Sequence, residues 1–576
     1  MSDSPNGMTP PEAPKEKKEL SMELRLLIAF ILMGAVLFLT PYFYKPAIAP
    51  PAQTQKGAPA AKAAAPAQAA AAQPDIPKKP APPPGQFGAK TEATSVIDNH
   101  LFRVVFSNRG AVVRSWVLKK HRDDSGKELD LVNPTGPAKV GFPFALVFPN
   151  QKPAVDLDQV LYAAETAADG LGLTFRYSDG SAFCEKSFHF KKDSYLVDVS
   201  SEVRQGAVQI PHLLVWRGGF GDPTIENPGS LQRTLYFDVA ANKLVTTETK
   251  AAKDGPVTHG GAFSFAGVED QYFAALFLPA GGANVEIRTF SDTVMGVVSK
   301  KEEPHIGFAV GGVGVNRYSA YVGPKDIDIL RKIDQKLEQV VDFGWFWFLA
   351  KPLFASLNWT NDRFFRNYGW SIVVVTVIIN FLLLPLKLTS LKSAKRMQVL
   401  QPEIAAINAR YKNLSLRDPK KAAQNQEVMD LYKKHGVNPL GGCMPMVIQI
   451  PFFFAFYKVL SVAIEMRGAS WLWVADLSRP ETIPIRILPI AMMVTQFVLQ
   501  KMTPNPSADP QQQRIMLLMP LMFGFMFYGV QSGLVLYWLT GNIVGIAQQW
   551  WFNRAAAASA PAVAPKPTPK KKGSRS

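Results

Sequence analysis

Side-chain amides recur inside apolar stretches of this 576-residue chain, at Asn380, Gln449, Gln496, Gln500, Asn542 and Gln549, joined by the hydroxyl of Thr376. An amide surrounded by hydrocarbon must either hydrogen-bond to a neighbouring helix or line a wet cavity. The first outcome makes each one interhelical glue, worth under about 2 kcal/mol. The second hydrates a notch through which a polar chain could pass without any hydrolysis. Thr376 and Asn380 are four apart, as are Gln496 and Gln500, and Asn542 and Gln549 are seven apart, so each pair shares one helix face. Ile450, Pro451 and Phe453, with the adjacent aromatics Tyr537 and Trp538, could offer an entering apolar helix a surface to slide along. The seven histidines show no metal-ligand spacing. With no nucleophile constellation either, catalytic residues, metal and cofactor are all expected to be absent, and His121, His189 and His212 read as surface or satisfied core residues.

The elements that position these groups are apolar runs at 26–43, 370–386, 443–460, 484–499, 515–530 and 533–551, each close to the roughly 20 residues that cross a bilayer. The first resembles a signal peptide, but the Ala47-Ile48-Ala49 pattern is followed by Pro50, which disfavours cleavage, so it reads as an anchor. Six crossings are expected.

The net charge of +17 would suggest nucleic acid if it were spread evenly. It is not: 387–436 holds eleven Lys/Arg against four Asp/Glu, and the tail beyond 553 adds six more cations. The positive-inside rule places these segments in the cytoplasm together with the N-terminus. The loop 461–483 then lies outside, where Trp471 and Trp473 suit an interfacial belt. No DNA partner is expected.

Between the first and second runs the composition changes twice. Residues 44–90 are rich in Ala, Pro and Gln and cannot build a core, so they read as a disordered tether. From 91 to 325 apolar residues alternate, as in Phe102, Val104, Phe106 and Leu173, Phe175, Tyr177, with Asp179-Gly180 as a turn signal; this predicts an all-β, two-sheet domain outside the cytoplasm. Residues 338–360, aromatic but broken by Lys351-Pro352, suit a helix lying in the outer interface. In the basic loop, Met397, Leu400, Ile404 and Ile407 stripe one helix. Asp418 and Pro419 are the natural cap and first residue of a second, giving a cytoplasmic helical hairpin. Lys392, Lys395, Arg396, Arg410, Lys412, Lys420 and Lys421 are its candidate docking residues for ribosome or anionic lipid. Cys184 and Cys443 fall on opposite sides of the membrane, so no disulfide joins them.

The motifs NPLGGCMPMVIQIPFFFAFY (438–457), NYGWSIVVVTVIINFLLLPL (367–386), LQPEI (400–404), QKMTPNPSADPQQQRIMLLMP (500–520) and SGLVLYWLTGNIVGIAQQWW (532–551) resemble the YidC family of bacterial membrane protein insertases. The resemblance covers 342–553 strongly, with YVGPKDIDIL (321–330) fitting the Gram-negative type. It implies a polytopic α-helical membrane core of five helices at 368–553 plus the N-terminal anchor, and a periplasmic β-supersandwich at 91–325. It also implies a hydrophilic groove open to cytoplasm and lipid, residence in the inner membrane, and insertion and folding of nascent membrane proteins alone or with the Sec translocon; contacts to ribosome and targeting factors are read from the basic hairpin and tail themselves. A cytoplasmic N-terminus at 1–25 and a basic tail at 554–576 complete it.

One departure from the family bears on mechanism. The resemblance aligns Asn380 with a groove arginine of the family, so a central positive charge is missing and acidic segments should be attracted less. Asn380 and Lys387 are seven apart, roughly 10 Å at helical rise, which keeps Asn380 in the inner leaflet. A secondary transporter with a polar solute site is the alternative, although the repeated halves expected of one are not apparent. An enzyme acting through the β-domain is the third reading.

Overall fold

Phe102, Val104 and Phe106 are all buried while Arg103 between them is exposed, and the segment forms the strand Phe102–Ser107. That alternation is the physical content of a half-buried strand: successive side chains point to opposite faces. The computed structural model describes residues 85–225, 228–279, 284–411, 420–437, 444–503 and 510–558. The expected cytoplasmic N-terminus, the anchor at 26–43, most of the tether and most of the basic tail lie outside the described residues.

Within 94–324 the chain is antiparallel β-structure. A four-stranded sheet takes Thr94–Asp98, Phe102–Ser107, Val112–Arg122 and Glu128–Asp130 in chain order. The main path of a fourteen-stranded sheet runs from Ala145–Val147 through His212–Trp216, Glu302–Gly312, Asn284–Met295, Val257–Glu269, Phe273–Pro279, Asn316–Pro324, Leu196–Gln205, Ala182–Phe190 and Gly172–Ser178 to Ala163–Thr166, with Val208–Gln209, Arg233–Asp238 and Lys243–Glu248 paired off it. Aromatic rings fill the domain core: Trp116, Phe144, Phe188, Phe190 and Trp216 are all buried and in mutual ring contact. The Asp179-Gly180 turn forms as its composition predicts, with Gly180 at φ +94 and the Asp179 carboxylate accepting from the N–H groups of Ser181 and Ala182. Buried in the same core, Lys186 donates to the carbonyls of Gly110 and Phe144 at 2.8 Å each, which satisfies an ammonium that could not otherwise be dry. His212 is a satisfied core residue, with Nε2 2.8 Å from the Ser201 hydroxyl and Nδ1 2.9 Å from the Ile210 carbonyl.

Among the described residues ten helices follow: α1 (Ile327–Ile333), α2 (Trp347–Thr360), α3 (Tyr368–Leu382), α4 (Leu384–Val399), α5 (Gln401–Arg410), α6 (Lys420–Lys434), α7 (Met444–Val462), α8 (Ile487–Met502), α9 (Pro510–Phe527) and α10 (Ser532–Ala558). The helix expected from 338 starts later, at Trp347. A short 3-10 turn (Gln335–Val340) precedes it, and the chain turns at Gly344, whose φ of +70 and whose N–H to the Asp342 carboxylate break any continuous helix. The second apolar run is split at Leu383 rather than continuing to 386, because Pro385 has no N–H to give to the preceding turn. No single helix among the described residues is long and apolar enough to cross a membrane by itself; Trp347–Phe365 with Tyr368–Leu382 pass together across a bend of 118°. α10 packs against α3, α7 and α8, α8 packs against α9, and α2 lies against α3 and α7.

Residues 396–437 belong to a second compact unit. There Met397, Leu400, Ile404 and Ile407 are buried as their stripe predicts, and α5 meets α6 through Arg410 to Glu427 at 2.8 Å and Gln424 to Asn408 at 2.6 Å. The second helix begins at Lys420; its expected cap Asp418 and first residue Pro419 lie outside the described residues.

Candidate functional site

Asn367 starts α3 by accepting the Trp370 N–H at 3.3 Å on its side chain, which satisfies a donor that the helix itself leaves unpaired. From that fixed start, Thr376 and Asn380 fall on the buried face. Thr376 donates to the carbonyl of Ile372 at 2.6 Å, and Asn380 Nδ2 donates to the carbonyl of Thr376 at 2.8 Å. The Asn380 side-chain oxygen is taken by Lys387: Nζ lies 2.6 Å away. Because the helix breaks and restarts between Leu382 and Leu384, the lysine side chain folds back along it to reach the amide. A lysine ammonium seven residues further along the chain thus meets the Asn380 amide.

From α10, Gln548 Nε2 donates to the backbone carbonyl of Asn380 at 3.2 Å, and its Oε1 has no partner among the described residues. Gln549, the residue expected to join this face, turns instead to Asn553 at 2.9 Å. Asn542 faces α8, where it donates to the Met492 carbonyl at 3.2 Å and to the Thr495 hydroxyl at 3.3 Å, and Asn553 reaches the Met502 carbonyl of the same helix. α10 thus presents two polar edges: Gly541 and Gln548 toward α3, and Asn542, Gln549 and Asn553 toward α8.

The remaining expected residues separate into glue and surface. Gln449 of α7 donates to the Tyr537 hydroxyl at 2.8 Å, and Gln496 of α8 accepts from Trp538 Nε1 at 3.1 Å. Tyr537 is buried, its ring stacked on Phe456 with centroids 4.2 Å apart, so in this arrangement it packs the bundle and offers no surface to an entering helix. Trp538 is half-buried in a ring cluster with Phe453, Phe523 and Phe527, at centroid distances of 5.0 to 5.6 Å. Ile450, Pro451 and Phe453 are also half-buried, and Gln500 lies at the same helix end as Lys501. Lys392, Lys395, Arg396 and Arg410 are exposed; Lys412 and the side chains of Lys420 and Lys421 fall outside what the structure describes. No group of three or more His, Cys, Asp or Glu among the described residues could hold a metal ion.

An all-β domain joined to a bundle of apolar helices, with amides and one lysine turned inward among them, is the anatomy of a polar-lined membrane protein. The family model described as 60Kd inner membrane protein matches residues 359–559, and the one described as YidC periplasmic domain matches 94–356. The chain is 35% identical over 555 residues to the membrane protein insertase YidC of Citrifermentans bemidjiense, covering 93% of this chain and 100% of that one. It is 34% identical over 562 residues to the same insertase of Geotalea daltonii, with 93% and 100% covered. Among solved structures, an active YidC insertase aligns at 17% identity and TM-score 0.35, covering 91% of this chain and 99% of that chain. The chain belongs to the YidC family of membrane protein insertases, is an inner membrane protein, and is not an enzyme.

Proposed function

We propose that the α3–α10 face carrying Thr376, Asn380 and Gln548, closed at its end by Lys387, is the hydrophilic groove that accepts the polar part of a nascent membrane protein. The observation that carries this reading is the Lys387–Asn380–Gln548 contact set, a charge and two amides held together between apolar helices. Moving one charged side chain to the bilayer centre costs about 2.5 to 3.5 kcal/mol, so a segment with two or three charges faces a steep barrier. A polar notch part-way across removes much of it. The apolar helix of the client would then leave laterally past Ile450, Pro451, Phe453 and Trp538.

In this reading the β-domain is periplasmic, both termini are cytoplasmic, and six crossings include the anchor at 26–43. The exposed cations Lys392, Lys395, Arg396 and Arg410 would meet anionic lipid headgroups or ribosomal RNA, and the protein would work alone or beside the Sec translocon. The test is site-specific crosslinking from Asn380 and Gln548 to a ribosome-stalled membrane protein. Adducts that follow the client's polar segment support the groove; adducts only from outward positions such as Phe525, and none from these two, overturn it.

A further inference from the structure

The loop between α7 and α8 touches the starts of three core helices. Its main chain accepts the first N–H groups of α10, Ser532 to the Arg479 carbonyl at 2.7 Å and Gly533 to the Leu477 carbonyl at 2.8 Å. Its Glu481 carboxylate accepts the Leu488 N–H at the start of α8 at 2.9 Å. Asn367, the cap of α3, donates its side-chain amide to the Ser470 carbonyl at 2.9 Å, and Gly369 lies so close to Trp471 that a Cβ there would sit 2.2 Å from the indole. Helix N-termini leave N–H groups that need partners, and here one loop supplies them for α8 and α10.

The same loop is fastened to the β-domain by charge. Arg467 pairs with Asp222, and both side chains are almost fully buried, 7% and 4% exposed. Its guanidinium also lies over the Phe273 ring, 5.1 Å from the centroid. Arg479 pairs with Asp124 through its side chain while its carbonyl holds Ser532. Asp222 cannot drift within its own domain: its N–H is bound by Asp270 at 3.1 Å and its other oxygen holds Thr224. Beside the loop, Gln271 of the β-domain donates to the Ser461 carbonyl at the end of α7 at 2.7 Å.

We propose that Arg467 and Arg479 are positioning residues for insertion: they bolt the α7–α8 loop to the β-domain, and the bolted loop sets the outer ends of α3, α8 and α10 and so the width of the groove. The proposal rests on the insertase reading above. A rigid element with contacts at both ends is what can transmit such a constraint, and here Arg479 makes both contacts itself.

The experiment uses the full chain in proteoliposomes with Arg467→Gln and Arg479→Gln combined, which removes the ion pairs and leaves the loop carbonyls in place. Insertion of a client with a charged translocated tail should slow by about three- to tenfold, while crosslinking of the client to Asn380 persists. In a background free of native cysteines (Cys184→Ser with Cys443→Ser), a flexible bismaleimide bridge between Gln271→Cys and Ser461→Cys should restore the rate, which a merely destabilised protein would not show. Asp222→Asn provides the same readout from the other side if the double variant fails to reach the membrane. Unchanged insertion in these variants overturns the proposal, as does a loss that the bridge leaves in place. An unmodified protein that inserts nothing would instead count against the insertase reading itself.

Discussion

Lys387 Nζ lies 2.6 Å from the Asn380 side-chain oxygen, so the polar face of α3 ends on a cation supplied by the next helix. A lysine that reaches inward from a helix end keeps a flexible stem and a compact charge, whereas an arginine fixed at 380 would present a rigid fork.

Removing that charge should matter for acidic clients first. Lys387→Gln is expected to slow insertion of a client with an acidic translocated tail by about ten- to 150-fold, the range of a hydrogen bond to a charged group, and to leave a neutral tail within twofold. Asn380→Arg should add little while Lys387 is present and should rescue Lys387→Gln. Parallel insertion assays with acidic and neutral tails check both; equal slowing of the two tails would contradict the role given to Lys387.

Tyr537→Phe separates glue from groove. The ring keeps its stack on Phe456 and only the acceptor for Gln449 is lost. Interhelical hydrogen bonds in membranes average about 0.6 kcal/mol, so thermal unfolding in detergent should shift slightly and insertion should stay within twofold. A severe insertion defect with unchanged stability would return Tyr537 to the groove.

The sequence displays the periodicities that organise this protein and conceals the partners. Phe102, Val104 and Phe106 alternate, and Met397 to Ile407 stripe a helix, because burial follows the strand and helix repeats. The seven-residue spacing of Asn542 and Gln549 also holds, since both lie on the edge of α10 that faces α8. What spacing cannot reveal is that the neighbouring edge, Gly541 and Gln548, meets Asn380. Adjacent glutamines differ by 100° around a helix, and only packing decides which helix each one finds. Lys387 was hidden for a different reason: it belongs in sequence to the basic loop, and the break at Leu383 with Pro385 behind it is what turns it inward.

Cys184 tests the claim that no disulfide supports the β-domain. Its thiol is buried, and burial pushes its pKa up to about 11. A rise of that size leaves about a hundredfold less thiolate at neutral pH. Iodoacetamide at pH 8 should leave Cys184 unmodified in the folded protein and label it in urea, read by peptide mass spectrometry; rapid labelling without denaturant would show an open core.

Glu481 and Glu465 share the outer loop and are held differently. Glu481 accepts two hydrogen bonds, from Trp473 and Leu488. Glu465 is desolvated, and the nearby carboxylates Asp326, Asp328 and Asp362 add to that effect, raising its pKa from 4.5 to about 7. A carboxyl whose folded pKa exceeds its unfolded value binds more protons when folded. Its contribution to stability is therefore fully present below the unfolded value and falls as pH rises from about 4.5 to about 7. Glu465→Gln keeps the protonated shape without the charge, so the variant should gain stability relative to the parent at pH 8 and lose that advantage at pH 4.5. Thermal midpoints of both proteins in detergent across that range decide it: the gap between them should narrow steadily on acidification, and a gap that stays constant would show that Glu465 titrates alike in the folded and unfolded chain.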